Sequence, residues 1–88
     1  MSAYLVTYDL ASEAARDDVV REIKSWPWAK LTEAAYVIDT VETVQTIYRQ
    51  LSGFLGRDDV IYIVALRQPF SGFGPDNVND WLQKHLPR

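Results

Sequence analysis

Carboxylates are the groups in this chain best suited to acid–base or metal chemistry. Twelve Asp and Glu residues stand beside a single histidine, and cysteine is absent, which removes thiolate nucleophiles, thiolate zinc sites and disulfide frameworks. Asp9 is set apart by its placement. It closes the run Ala3-Tyr-Leu-Val-Thr-Tyr-Asp9, a β-branched and aromatic stretch without Gly or Pro that reads as a first, central strand. A carboxylate delivered where a strand hands over to a helix lies at the mouth of the sheet, a common place for polar chemistry. One Asp is a thin metal site. Mg²⁺ can, however, be held by one or two carboxylates with waters and substrate phosphates, so a twofold axis that brought Asp9 near its own copy would complete a site. The alternative role is a turn carboxylate that accepts backbone N–H groups ahead of the first helix. Asp39, Asp58 and Asp59 stand at strand ends or turns, and each reads as structural.

Other chemistries find less in the sequence. Gly72-Phe73-Gly74 is a bare G-x-G without the Lys-Ser/Thr of a phosphate-binding loop, and neither a G-x-S-x-G motif nor a pair of histidines is present. His85, the sole imidazole, falls on an exposed-looking position of the last helix, where a surface or helix-dipole role is expected. Trp26, Trp28, Tyr36 and Trp81 could stack bases, but no basic residues interleave with them and most fall on apolar stripes or strand positions, which favours core and interface packing. Nine basic residues against twelve acidic ones give a net charge of −3 and a pI near 4.9. The chain as a whole therefore repels a polyanion, and nucleic acid could bind only where the few Arg and Lys cluster.

The elements that must position these groups follow from periodicity and breakers. Ser12 is an N-cap for a helix over Glu13 to Ser25, with Ala15, Val19, Ile23 and Trp26 at helical spacing and Pro27 as its stop. Trp28 to Thr32 and Ala35 to Thr40 read as strands joined at Glu33-Ala34. Thr40 is a candidate cap for a second helix that carries Val44, Ile47, Tyr48, Leu51 and Leu55 and ends between Gly53 and Gly56. Val60 to Leu66 is the strongest strand by composition. A loop from Arg67 to Gly74 leads to Pro75 in the first turn of a short third helix with Val78, Trp81, Leu82 and Leu86 on its apolar face.

The order βαββαβ in 88 residues predicts one α+β domain, residues 1–88, of ferredoxin-like type, with residues 67–88 as a C-terminal loop and short helix. Two of its strands, Tyr4 to Tyr8 and Val60 to Leu66, are apolar on both faces, whereas two helices cover one face. The third helix or a second copy must shield the other, and a homodimer is expected. Strand parity alone leaves open whether Tyr4, Val6 and Tyr8 or Leu5 and Thr7 face the helix pair. Met1 runs directly into the first strand, and no window approaches the roughly 20 apolar residues of a membrane span, so a cytoplasmic protein without membrane partners is expected.

The opening Tyr4-Leu-Val-Thr-Tyr-Asp9-Leu10, Trp26-Pro-Trp28 with Leu31 and Ala35-Tyr-Val-Ile38, and the closing Trp81-Leu82 resemble the small SinR-like proteins. These belong to the superfamily of the CRISPR-associated spacer-acquisition nuclease subunit and virulence-associated protein D. The resemblance implies a ferredoxin-like fold, a homodimer and, for the nuclease members, a metal-dependent phosphodiesterase site built from the first-strand Asp of both protomers, here Asp9. Where the nuclease members carry Gln-x-Ser-hydrophobic-Phe, this chain reads Thr32-Glu-Ala-Ala-Tyr36, and the Ser position falls on Ala34. Three readings result. The first is a homodimeric assembly or partner-binding module without efficient catalysis and with no cofactor. The second is a Mg²⁺- or Mn²⁺-dependent endonuclease, on RNA rather than DNA, that uses Asp9 from both protomers, and the third is a clamp that holds nucleic acid without cleaving it.

Overall fold

In the computed structural model, which describes residues 2–88, seven elements follow one another: β1 (Ser2–Asp9), α1 (Glu13–Ile23), β2 (Trp28–Thr32), β3 (Ala35–Thr40), α2 (Val44–Ser52), β4 (Val60–Leu66) and α3 (Asp76–His85). The strands form one sheet in the order β2-β3-β1-β4, with every neighbouring pair antiparallel. This is the expected ferredoxin-like βαββαβ arrangement, followed by a loop and a third helix.

The helix boundaries follow from local hydrogen bonding. Ser12 caps α1 as expected, its hydroxyl oxygen accepting the Ala15 N–H at 3.0 Å. The helix stops at Ile23, short of Ser25. The Ser25 hydroxyl donates to the Glu22 carbonyl at 2.7 Å, and the Ser25 and Trp26 N–H groups donate to Glu22 and Ile23, tightening the last turn before Pro27. The cap of α2 is Thr43, whose hydroxyl oxygen accepts the Thr46 N–H at 3.1 Å. Thr40 is not the cap. Its hydroxyl accepts the Glu42 N–H at 3.1 Å and so closes a turn ahead of the helix, leaving Glu42 outside it. Pro75 likewise stands at the cap position of α3, one residue before the first helical turn.

The helices settle the parity of β1. Tyr4, Val6 and Tyr8 face α1 and α2, where they pack with Val19, Ile23, Ile38, Ile47 and Leu51 in the larger core. Each of these fully buried aliphatic side chains contributes about 2 kcal/mol of hydrophobic stabilisation. The two tyrosines also tie down loops at opposite ends of the strand. The Tyr4 hydroxyl donates to the Glu42 carbonyl and the Tyr8 hydroxyl to the Glu33 carbonyl, each at 3.0 Å. Burial, with Tyr36 and Glu33 nearby, pushes the Tyr8 phenol above its ordinary pKa, so it stays a donor.

On the opposite face Ala3 and Val37 pack with Leu82 of α3 and Leu86 just after it, joined by Leu5, Leu66, Phe70, Val78 and Trp81. Among the described residues no helix is long and apolar enough to cross a membrane. Ile47 is fully buried while Val41 is largely exposed. Ile47→Ala is therefore expected to lower the unfolding free energy by about 2–5 kcal/mol, and Val41→Ala to change it by less than about 0.5 kcal/mol, as read from urea denaturation.

Candidate functional site

Asp9 ends β1 opposite Val60, exposed, on the sheet face that also carries Ala3 and Leu5. The turn role proposed for it belongs to another residue. Asp59 accepts the Ala11 N–H on one carboxylate oxygen at 2.8 Å and the Gly56 N–H on the other at 2.7 Å, linking the exit of β1 to the entry of β4. These two donors hold the Asp59 carboxyl below its ordinary pKa. Among the described residues there is no group of three or more His, Asp or Glu side chains placed to hold a metal ion. Within one chain Asp9 thus belongs to no three-ligand cluster among the described residues.

Asp39, expected to be structural, and His85, expected at the surface, are brought together. Asp39 lies on the face covered by α3, opposite Ala3 in the neighbouring strand, and is only 5% exposed. His85 Nδ1 sits 2.7 Å from Asp39 Oδ2, where an Nδ1–H donates to the carboxylate. The imidazole also stacks on the Trp81 ring, with centroids 4.0 Å apart and planes 18° from parallel. His85 is therefore half-buried, because the sheet claims its face of the helix. Two signals in the sequence point to the pair. Asp39 follows Val37 at period two and so shares its inward face, and His85 follows Trp81 by four residues and Leu82 by three on the apolar stripe of α3.

An aspartate-held imidazole can serve acid–base chemistry in other settings. Here the Asp39 contact fastens α3 to the sheet, the Trp81 stack within the helix orients the imidazole for it, and the second carboxylate oxygen, Asp39 Oδ1, is buried without a hydrogen-bond partner. We read the pair as a tether. Gln68 reinforces it. Its side-chain amide donates to the Gln83 and Leu86 carbonyls, each at 3.2 Å, and its backbone N–H donates to Pro87 at 2.6 Å.

The aromatic residues are engaged with their own neighbours. Trp28 meets Tyr36 at a centroid distance of 5.7 Å, and the Lys24 ammonium lies 4.7 Å above the Trp28 ring. Trp26 packs against the larger core. Several cations are also occupied: Arg21 pairs with Asp18, Lys30 with Glu33, each at 3.0 Å, and Arg16 donates to the Leu10 carbonyl at the same distance.

What α3 leaves open is the outer part of the sheet. Val60, Tyr62 and Val64, on the face of β4 that looks away from α1 and α2, remain 44%, 65% and 47% exposed. No protein-family model and no curated protein matches the chain. Its functional reading rests on its own surface.

His85→Ala strands a buried carboxylate and is expected to cost about 2–3 kcal/mol of stability in urea unfolding. The Asp39→Ala/His85→Ala double variant should cost less than the sum of the two single changes. For Asp59 the depressed pKa means that its two hydrogen bonds stabilise the fold at neutral pH. That contribution fades as pH falls below the ordinary aspartate range toward the lowered value. Asp59→Ala should accordingly lower the urea midpoint at pH 7 and flatten its decline below about pH 4, the ordinary carboxylate pKa.

Proposed function

We propose that this protein is a homodimeric assembly or partner-binding module without efficient catalysis. The observation that carries the reading is the apolar stripe of Val60, Tyr62 and Val64 left uncovered beside α3. Contiguous apolar surface of this kind is costly to leave in water and marks an interaction site. Its neighbours support association over chemistry. Asp9 lies at the exposed end of the adjacent strand outside any three-ligand cluster of the described residues, while Asp39 and His85, which form a close polar pair, hold α3 to the sheet.

Light scattering at micromolar concentration should return twice the chain mass of 10.1 kDa. A mass equal to the single chain would overturn the reading of self-association. Incubation with RNA and Mg²⁺ or Mn²⁺ should leave the RNA intact. Metal-dependent cleavage that disappears in Asp9→Asn would instead establish a nuclease.

A further inference from the structure

The sheet has two edges, and they are built differently. β2 is five residues long, carries Lys30, and is broken by a register shift between Lys30 and Thr32. Short length, a lysine and a bulge are the devices that keep an edge from pairing with another chain. β4, at the other edge, has none of them. It is seven residues long, uncharged and free of proline, and its register with β1 runs unbroken from Val60 to Leu66. Among the described residues no strand neighbours its outer N–H and C=O groups.

The sequence of β4 adds a second, independent fact: Val60-Ile61-Tyr62-Ile63-Val64 reads the same in both directions. An antiparallel pair formed by two copies of one strand is related by a twofold axis, so residues equidistant from that axis face each other. With the axis at Tyr62, Val60 meets the mate's Val64, Ile61 meets its Ile63, and Tyr62 meets itself. Like faces like at every position on both surfaces of the sheet, and a one-residue slip would lose the match.

The surroundings leave room for this arrangement. Between α2 and β4 runs an open groove of about 570 Å³, lined by Val44, Tyr48, Arg49, Ile61 and Ile63 among others. A second strand laid along β4 would place its own Ile61 and Ile63 there, while its Val60, Tyr62 and Val64 would stand beside their counterparts on the opposite face as cross-strand neighbours.

We infer that β4 pairs antiparallel with β4 of a second copy across a twofold axis at Tyr62, making one continuous sheet through the dimer. The inference rests on the self-association proposed above and specifies its surface and register. It also fixes the fate of Asp9. Strand spacing and rise put the two Asp9 backbones about 19 Å apart in such a dimer, so the two carboxylates do not share a metal ion.

The chain contains no cysteine, so single introduced thiols report the register directly. Tyr62→Cys, at an exposed position, should yield mostly disulfide-linked dimer under mild oxidation, because directly opposed residues in antiparallel strands lie within disulfide reach. Val60→Cys and Val64→Cys should each remain unlinked, since each residue lies about 14 Å from its own copy. The two variants co-expressed should link to each other. This mixed pair tests the register even if Tyr62→Cys folds poorly. A dimeric mass with linkage of Val60→Cys or Val64→Cys to itself, or with no linkage in either Tyr62→Cys or the mixed pair, overturns the β4 pairing and leaves self-association standing. A mass equal to one chain overturns both.

Discussion

The contact between Asp39 and His85 decides where the third helix lies, and the exposed surface of the molecule follows from that position. A four-stranded sheet has two faces, and α1 and α2 fill one of them. The ten-residue α3 is too short to cover the other. Anchored to β3 through Asp39 and held at its end by Gln68, it lies over Ala3, Val37 and their neighbours. The stripe on β4 stays open because β4 is the strand farthest from β2, the element α3 packs beside. An aspartate buried at 5% exposure with one oxygen unpaired is an expensive anchor. It is also a directional one, since only a donor at the position of His85 satisfies its other oxygen.

Much of the architecture was legible in the sequence because it rests on period and composition. The spans of β2, β3 and β4, the Ser12 cap and the element order follow from alternation, helical spacing and breakers. The errors fall where two local chemistries compete. Thr40 and Thr43 both suit a helix cap, and the turn closed by Thr40 gives the cap to Thr43. Asp9 and Asp59 both suit the turn after β1. Asp59 takes it because β4 returns beside β1 and delivers the carboxylate to the Ala11 N–H, a contact across 48 positions that no local reading supplies.

The candidate site was legible only in part, for the same reason. Asp9 stands at a strand end as its sequence position implies, but which groups surround it depends on what the fold brings near it. His85 was misplaced because its environment is made by β3, 46 positions earlier in the chain. The symmetry of Val60 to Val64 is plain in the sequence, yet it acquires meaning only once β4 is known to be an edge. In a central strand the same five residues would be ordinary core.

The contrast between the two edges also sets a limit on growth. If β4 meets β4, the joined sheet contains eight strands and ends at both sides in β2, whose irregular backbone and Lys30 offer no template for a further strand. An edge able to pair indefinitely seeds fibres; one that pairs only with its own image is used up in a single encounter. The irregularity between Lys30 and Thr32, minor within one molecule, is then what keeps the assembly finite.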